Sequence, residues 1–259
     1  MEKKLPISVC MISGAEAHRI RPALESVAPW VSEIIVVLNP EVNDGTEQIA
    51  AGFGAQVLRE PWKGFLAQKN SAADKAAQPW LLGLDADEVV SPALRSEIDD
   101  LLLRPPPGGH CEAYGFPRCT LFCGRWIRHG DWYPDRQVRL WQKGCARWEG
   151  IDPHARLAVR GKVGWLRHDL LHYSMESFEH QIAKTITYAD DFVRHCAASR
   201  RRIGLADLLV RPAWRFARGY VIKRGFLDGW QGCSIAWMAA FYTFLRYAKA
   251  RAAQEDAHP

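Results

Sequence analysis

Apolar residues in the first third of the chain follow two alternating patterns. Short, largely apolar runs are typical of strands, and a continuous β-branched run is typical of a strand buried on both faces. These runs lie at residues 7–12, 34–38, 55–58 and 80–84. Between them, apolar residues recur every three or four positions, which indicates helices that pack by one face. The predicted helices carry Ile20, Leu24 and Val27, then Ile49 and Phe53, and finally span residues 68–77.

The regular alternation of strands and helices predicts an α/β fold, a mainly parallel sheet flanked by helices with right-handed crossovers. In such folds ligands bind at the carboxyl ends of the strands. Asp85 and Asp87 follow the run at residues 80–84, so the sequence predicts two carboxylates at that edge. Oxygen ligands of this kind suit Mg²⁺ or Mn²⁺, and a bound ion could hold a diphosphate. A D-x-D motif alone is also common in solvated turns, so the neighbouring sequence must show whether this one forms a metal site.

Four blocks of sequence supply that context. They read ISVCMISGAE at residues 7–16, VVLN through DGT at residues 36–46, QKNSA at residues 68–72 and LDADE at residues 84–88. In this order they resemble the family 2 glycosyltransferases, which implies a Rossmann-like GT-A fold with, here, a C-terminal helical tail. Within that family the chain looks most like the small bacterial enzymes that add a sugar to the lipopolysaccharide inner core, because of residues 132–135, residues 138–140 and an aromatic, basic tail.

The resemblance implies a donor site that includes a divalent cation. The residues that would bind the nucleotide sugar are Ser13, Glu16, Asn39, Asp44, Lys69 and Asp85. Glu16 and Asn39 would meet the nucleoside. Lys69 would lie near the phosphates, Asp85 near the ribose and Asp87 on the metal, which would be Mn²⁺ or Mg²⁺.

Position 39 departs from the family pattern. The family usually has Asp there, which accepts a hydrogen bond from the base, whereas the amide of Asn39 can both accept and donate. A preference for uracil is therefore less secure in this chain, and Asp44 could partly compensate. Alternatively Asn39 only begins a turn, since an Asn-Pro pair such as residues 39–40 favours turns by itself.

An inverting transfer also needs a carboxylate that removes the proton of the acceptor hydroxyl. We predict Asp135 for this role, because residues 129–140 look like the family's E-D-x-x-x-x-R-L block and contain aromatic residues that could stack on a sugar. The likeness is loose, since Pro134 replaces the usual acidic partner. The alternative bases are Asp131, Glu149 and Asp152. Asp135 could instead only pair with Arg136 or Arg139 at the surface.

Histidines offer a further metal ligand. The resemblance favours His172 near the metal. His168 and His172 are four residues apart and would face one way on a helix, where they could bind zinc, but no third soft ligand is evident. His154 precedes Ala155 where related sequences tend to have Glu, so any role of that Glu is absent here.

Cysteine usage indicates the cellular compartment. Seven thiols in a chain without a recognisable signal peptide favour a reducing cytoplasm. Cys111, Cys119 and Cys123 beside His110 suggest a zinc site. Their spacing matches no common pairing, however, and an apolar cluster under a loop explains them as well.

The length of the chain suits one catalytic domain with a modest appendage. We predict a GT-A catalytic domain over residues 1–198 and a basic, aromatic, helical appendage over residues 199–259. The Pro- and Gly-rich stretch at residues 104–109 would divide the domain into a nucleotide-sugar half and an acceptor half. These halves would cover residues 1–104 and 105–198.

The predicted appendage combines arginines with Trp, Tyr and Phe. Its apolar run at residues 235–245 is too short to span a bilayer, and basic aromatic helices suit an anionic membrane surface. We therefore expect peripheral binding to the inner face of the cytoplasmic membrane. Alternatively these aromatic residues pack onto the catalytic domain. The net charge of +5 is not accompanied by a nucleic-acid recognition motif, so no nucleic-acid partner is expected.

Together these patterns predict an inverting, metal-dependent glycosyltransferase. It would move a hexose from a nucleotide diphosphate sugar, with UDP as the expected nucleotide, to a membrane-associated saccharide such as lipopolysaccharide core or another cell-envelope glycan. Two other classes stay open. A nucleotidyltransferase typically needs a basic Gly-rich loop near the first strand, where this chain has the acidic segment 13–16. A non-catalytic membrane-surface scaffold would be consistent with Asn39 and Ala155.

Overall fold

The computed structural model describes most of the chain. The residues described are 4–104, 109–152, 154–173, 182, 185–190, 192–194 and 203–256. Three features of the sequence analysis lie outside this set. They are the break at residues 105–108, the boundary between residues 198 and 199, and the arginines at residues 200–202.

The first seven elements confirm the predicted order of strands and helices. They are β1 (Leu5–Ser13), α1 (Ile20–Val27), β2 (Val31–Leu38), α2 (Thr46–Gly52), β3 (Gln56–Arg59), α3 (Phe65–Asp74) and β4 (Trp80–Gly83). The third helix begins three residues earlier than its apolar spacing predicts. Asp152 Oδ1 accepts a hydrogen bond from the Leu66 backbone N–H at 2.9 Å, so a residue distant in sequence satisfies one of the free N–H groups of its first turn.

Burial explains why these strands lie at the centre of the sheet. Val9 on β1 and Val36 on β2 are fully buried, and α1 covers the sheet with Ile20, Leu24 and Val27, which are also fully buried. These three residues recur at the spacing that puts them on one face of a helix. Each side chain contributes about 1.5–3 kcal/mol by leaving water.

The remaining elements complete a mixed sheet. They are β5 (Glu88–Val90), α4 (Pro92–Leu103), β6 (Ala113–Phe122), β7 (Arg125–Trp126), β8 (Asp135–Gln142), β9 (Ala146–Ile151), β10 (His154–Val159), β11 (Val163–Trp165) and β12 (Leu170–His172). The strand order is β3-β2-β1-β4-β8-β6-β12-β5, with β7 and β11 also paired to β6 and β9–β10 forming a separate hairpin. The strands from β3 to β4 are parallel, whereas β8 runs antiparallel to both β4 and β6. The sheet is flanked by helices, as predicted.

The chain divides into two compact units. The first contains residues 1–118 and 135–172, and the second contains residues 119–134 and 173–259. The second unit has two long helices, α5 (Leu205–Ala217) and α6 (Gly229–Asp256), joined by a π-helical turn at Arg218–Ile222 and a 3-10 turn at Gly225–Asp228. A Cβ on Gly232 would lie 1.9 Å from the Gly225 carbonyl oxygen, so α6 can meet that turn only with glycine.

The second unit has a small core of its own. Phe122, Ile127 and Ile235 are buried together, with Trp132 and Met238 packed against them. Trp132 meets Phe122 edge to face, with 5.5 Å between ring centroids. This aromatic residue of segment 129–140 therefore has a packing role. Among the described residues, no helix combines the length and the apolar character needed to cross a bilayer.

Candidate active site

The D-x-D segment forms a tight turn directly after β4. The Glu88 backbone N–H donates to the Asp85 carbonyl at 3.0 Å, and Glu88 Oε2 accepts the Asp85 backbone N–H at 3.0 Å. The Glu88 side chain is fully buried, so a buried carboxylate holds this turn. Asp85 and Asp87 therefore project from the carboxyl end of β4, where the sequence predicts them.

A cleft of about 820 Å³ lies at this end of the strands. Seven of the predicted site residues line it, namely Ser13, Glu16, Asn39, Lys69, Asp85, Asp87 and His172. Ser13 ends β1, Lys69 lies on α3 and His172 ends β12, whereas the other four lie in the loops that follow β1, β2 and β4. The parallel sheet therefore brings them together as expected. Trp62, Phe65, Arg118, Gln137, Arg139 and Trp148 also line the cleft, and none of these was a predicted site residue.

Alternating charges form one continuous network along the cleft. Lys69 Nζ donates to Asp85 Oδ1 at 2.7 Å, and Arg139 Nη2 donates to Asp85 Oδ2 at 2.9 Å. The same Arg139 nitrogen lies 2.9 Å from Glu88 Oε1. Arg118 Nη1 reaches Glu88 Oε1 at 3.1 Å, and Arg118 Nη2 reaches Asp135 Oδ2 at 2.6 Å. The network thus joins the predicted ribose ligand to the predicted base.

Electrostatics favour the charged forms of Asp85 and Arg139 in this network. Burial alone would raise the pKa of Asp85, but Lys69 and Arg139 outweigh it and hold the pKa well below its usual range. Burial likewise opposes the charge of Arg139, yet Glu88 and Asp85 raise the pKa of its guanidinium. Each buried charge is therefore compensated by an opposite charge within hydrogen-bond distance, which is the condition under which buried ions are tolerated.

Asp87 has two basic side chains as neighbours in the cleft. Its Oδ2 lies 3.5 Å from His172 Nε2 and 3.8 Å from Arg19 Nη1. Burial favours the neutral acid, but the hydrogen bond and charge of His172 outweigh burial, and Arg19 adds to them, so the pKa of Asp87 is lowered. Arg19 is itself paired with Glu16 through two of its nitrogens. The carboxylate and the imidazole thus meet on one wall of the cleft.

The pair of Asp87 and His172 fits a hard divalent cation. Mn²⁺ and Mg²⁺ usually take only one or two protein ligands and complete their shell with water and substrate phosphates. The described part of the chain holds no group of three or more His, Cys, Asp and Glu side chains arranged for a metal ion. The zinc alternative fails here, because His172 lies on β12 while His168, in a loop, contacts Glu97 Oε2 at 2.8 Å.

Asp44 lies outside the cleft lining and joins two loops. Its carboxylate accepts the Ala17 backbone N–H at 3.0 Å, the Thr46 backbone N–H at 3.1 Å and the Thr46 hydroxyl at 2.6 Å. The Thr46 Oγ1 in turn accepts the Glu16 backbone N–H at 3.0 Å. Asp44 therefore positions the loop that carries Glu16.

Asn39 does line the cleft, and its side-chain oxygen is buried without a hydrogen-bond partner among the described residues.

Trp148 forms part of the cleft wall. Its ring lies 4.8 Å from Lys69 Nζ and 5.5 Å from the Arg139 guanidinium, both in cation–π geometry. Asn70 holds the backbone of Trp148 through two hydrogen bonds of 3.0 Å, because Asn70 Oδ1 accepts the Trp148 N–H and Asn70 Nδ2 donates to the Trp148 carbonyl. Gly83 leaves room for the ring, since a Cβ there would lie 3.1 Å from it.

The carboxylates considered as bases occupy different settings. Asp135 begins β8, about one third of its side chain is exposed, and it also accepts a hydrogen bond from Gln137 at 2.7 Å. It does not itself line the cleft, although its partners Arg118 and Gln137 do. Glu149 is exposed on β9, and Asp152 caps α3.

Asp131 belongs to the second unit. Its side chain is buried and lies 2.7 Å from Arg218 Nη2, 3.0 Å from Lys223 Nζ and 3.3 Å from Arg215 Nε. Burial would raise the pKa of Asp131, but the hydrogen bonds from Lys223 and Arg218 outweigh it, so its pKa is lowered. A carboxylate held by three cations is a poor proton acceptor.

The thiols near His110 form no metal site among the described residues. Cys119 is buried and its Sγ lies 3.3 Å from the Ile127 carbonyl, Cys123 is exposed, and Cys111 packs against the apolar core of the first unit. His110 meets the ring of Trp80 edge to face. The apolar alternative therefore fits these residues better.

Three charged residues of the network were not predicted as site residues, although the sequence holds a signal for two of them. Arg118 interrupts the otherwise buried strand β6, and Arg139 lies between Val138 and Leu140 on β8. A basic residue inside an apolar strand must find a buried acid or a ligand, so such a residue indicates a site. Glu88 has no comparable signal, since an acid after a D-x-D motif is expected in solvent.

Comparison with known proteins decides the family. The model of glycosyl transferase family 2 matches residues 8–142, which is more than half of the chain. The chain belongs to glycosyl transferase family 2. The matched range contains the four sequence blocks apart from residue 7, and all the residues predicted to bind the nucleotide sugar, whereas His172 lies beyond it. It is therefore an enzyme of the glycosyltransferase class, and the match excludes the nucleotidyltransferase alternative.

Relatives of this family 2 glycosyltransferase match it over almost its whole length. The lipopolysaccharide core biosynthesis glycosyltransferase LpsC of Rhizobium meliloti is 27% identical over 272 residues, covering 99% of each chain. An uncharacterized glycosyltransferase of Rickettsia felis is 29% identical over 266 residues, covering 97% of this chain and 90% of the relative. The similarity thus includes the second unit as well as the first.

Solved structures support the GT-A fold. A mannosyltransferase of Pyrobaculum calidifontis, solved with GDP-Man and Mn²⁺, superimposes with a TM-score of 0.53 at 15% identity and covers 98% of this chain and 87% of its own. S. aureus TarS 1–349 in complex with UDP-GlcNAc gives a TM-score of 0.52 at 13% identity, covering 98% and 92%. At these identities the likeness concerns the fold alone.

Proposed function

We propose that this family 2 glycosyltransferase is an inverting enzyme that transfers a hexose from a UDP-sugar to a membrane-associated saccharide, such as lipopolysaccharide core or another cell-envelope glycan, at the cytoplasmic side of the membrane. One observation carries the proposal. Asp87 and His172 share a cleft with the cations Lys69, Arg118 and Arg139. A cleft that combines a metal-type pair with several cations suits a nucleotide diphosphate.

Each side chain in the cleft has a role in the proposal. Lys69 and Arg139 would face the diphosphate, and Asp85, which both of them hold in place, would accept hydrogen bonds from the ribose. The side-chain oxygen of Asn39, which has no partner among the described residues, would accept an N–H of the base. Support for the donor class comes from the related folds solved with UDP-GlcNAc and with GDP-Man.

Asp87 and His172 would hold Mn²⁺ or Mg²⁺. When bound, such an ion neutralises the charge that develops on the leaving diphosphate. The mannosyltransferase of related fold was solved with Mn²⁺, which supports the choice of metal. Lys69, which contacts Asp85, would add a positive charge near the same group.

Asp135 is the proposed base. Arg118 holds its Oδ2 through two nitrogens at 2.9 and 2.6 Å, and Gln137 holds its Oδ1, so the carboxylate is fixed in one orientation. Among the alternatives, Asp131 forms ion pairs with three cations, and Asp152 accepts a hydrogen bond from the first turn of α3. The acceptor class is supported by LpsC, whose name assigns it to lipopolysaccharide core biosynthesis.

Calorimetric titration with UDP-, GDP- and TDP-sugars, with and without Mn²⁺, tests the donor assignment. We expect a UDP-sugar to bind most tightly, and only with the ion.

Asp87→Ala should abolish the effect of Mn²⁺ and lower transfer by at least about a hundredfold, because the leaving group loses its charge stabilisation. Asp74→Ala is the matched control, since Asp74 is an exposed acid of the same unit that pairs with Arg147 at the surface. Transfer that survives in Asp87→Ala, with the fold intact by circular dichroism, would contradict the proposal.

Asp135→Asn separates binding from chemistry. The amide keeps the shape of the side chain but cannot take a proton, so turnover should fall by roughly 10²–10⁴ while donor affinity is unchanged. Turnover equal to that of the wild type would move the base to another residue.

A further inference from the structure

Helix α5 carries its apolar face outwards. Leu205, Leu209, Val210 and Trp214 are 57–67% exposed and are spread over one half of the helix circumference. The other half carries Arg211, which pairs with the buried Asp207, and Leu208, which packs against Ile203 and Tyr247. A helix that packs on a globular core usually turns its apolar side inwards, so this exposed apolar half calls for a partner.

Helix α6 has a similar outward stripe. Trp230, Trp237, Phe241 and Phe244 are 42–62% exposed, and their spacing of seven, four and three residues puts them on one face. A ladder of rings connects this stripe to α5, because Phe216 lies 4.8 Å from Trp237, measured between ring centroids. The exposed aromatic surface therefore passes from one helix to the other without interruption.

The connection between the helices extends the same surface. Phe216 contacts Tyr220, and Tyr220 contacts Phe226, with ring centroids 5.3 and 6.2 Å apart. Val221 and Ile222 are also exposed. We call the exposed apolar side chains of α5, of residues 221–227 and of α6 the outward apolar face. Single scattered apolar residues are normal on a protein surface, whereas these side chains form one group, which indicates an interaction site.

Positive charge accompanies this face. Arg215, Arg218 and Lys223 surround the single carboxylate of Asp131, and each keeps more than a third of its side chain exposed. Residues 203–256 contain eight Arg and Lys but four Asp and Glu. Burial is the main cause that lowers the pKa of Arg215, and the nearby cations Arg218 and Arg246 lower it further in spite of Asp131.

We propose that the outward apolar face docks onto the surface of an anionic phospholipid bilayer, with its aromatic rings among the headgroups and with Lys223, which directly follows the exposed Val221 and Ile222, on lipid phosphates. Trp and Tyr favour the membrane interface, and amphipathic helices with basic residues lie in its plane. An obligate protein partner would favour an apolar face depleted of charge, whereas this face is bordered by cations. The inference extends the proposed function, since a membrane-associated acceptor requires an enzyme at the membrane.

Flotation of the full chain with vesicles tests the docking face separately from catalysis. The wild type should float with phosphatidylcholine vesicles that contain phosphatidylglycerol, less with phosphatidylcholine alone, and less again at high salt. The double variant Trp214→Glu/Trp237→Glu should bind at least about tenfold more weakly, because both side chains are exposed and their apolar contact with the bilayer is lost. Lys223→Gln should weaken binding about fivefold on the anionic vesicles only.

Two controls keep the outcome interpretable. Leu103→Glu changes an exposed apolar residue of the first unit and should float like the wild type. Calorimetric donor binding of the double variant should equal that of the wild type, so a failure of donor binding and a failure of docking are distinguishable. The proposal is overturned if the wild type floats with neither vesicle or if the double variant floats equally well. It is also overturned if sedimentation shows a wild-type dimer that the double variant dissociates, since a second copy would then cover the face.

Discussion

The two units arrange their buried charges in opposite ways. In the cleft of the first unit, the cations Lys69, Arg139 and Arg118 alternate with three carboxylates, so the network is balanced. In the second unit one carboxylate, Asp131, is shared by three cations. Among the described residues, the first arrangement has as many carboxylates as cations, whereas the second has one carboxylate for three cations.

This difference separates two uses of ion pairs. A balanced network gains little net stability, because the loss of hydration offsets the attraction, but it fixes the orientation of each side chain. That rigidity suits a site that must hold a ligand in one geometry. An unbalanced cluster near the surface is instead suited to attract anions, and its interaction is weakened by salt.

The largest effect is expected from removing the central acid of the balanced network. Glu88→Gln would leave Arg139 and Arg118 without their shared carboxylate in a buried setting, and we expect a loss of about 3–5 kcal/mol in the free energy of unfolding. Urea denaturation measures this loss. Glu47→Gln is the control, since Glu47 pairs with Arg59 at the surface and should cost less than about 1 kcal/mol. Equal losses in the two variants would show that the network is not a buried unit.

A smaller effect is expected from the unbalanced cluster. Asp131→Asn would leave three partly exposed cations without their acid, and we expect a loss of about 1–2 kcal/mol in low salt, since solvent screens their repulsion. Vesicles that contain phosphatidylglycerol should restore much of this loss in thermal unfolding, whereas phosphatidylcholine vesicles should not. A loss that is the same with every vesicle would mean that these cations are not available to external anions.

The smallest effect is a dependence on pH. Because the pKa of Asp85 is lower in the folded than in the unfolded protein, its charge stabilises the fold above about pH 4. This stabilisation declines as the pH falls further, by up to about 1.4 kcal/mol per pH unit. The difference in unfolding free energy between the wild type and Asp85→Asn should therefore be constant from pH 6 to pH 8 and shrink in acid. A difference that grows in acid would reverse the sign of the assigned pKa shift.

The first half of the fold could be predicted because its signals are local. The runs that became β1 to β4 are apolar over several consecutive residues, and the helices between them repeat at a single spacing. The antiparallel strands β6 and β8 are less regular, and β8 lies between β4 and β6 although β6 precedes it in sequence. No local pattern predicts that insertion. The predicted domain boundary stays a prediction, since it lies outside the described residues.

The four blocks predicted several residues that line the cleft, whereas no part of the sequence predicted the charge network. Its members are separated by up to 70 residues in sequence, from Lys69 to Arg139, and they meet only because β8 pairs with both β4 and β6. The sequence also could not predict that the apolar side of α5 faces outwards. Periodicity predicts that a helix has an apolar side but not whether that side faces the interior, as the exposed Leu209 and Trp214 show.

The position of Trp148 gives the enzyme an optical signal of its own. An indole whose face meets two cations changes its emission when those cations turn towards an added anion. Tryptophan fluorescence, measured during a nucleotide titration of the wild type and of Trp148→Phe, would therefore report binding of the nucleotide next to Lys69 and Arg139 without any label. Donor analogues that are never turned over could be ranked in this way.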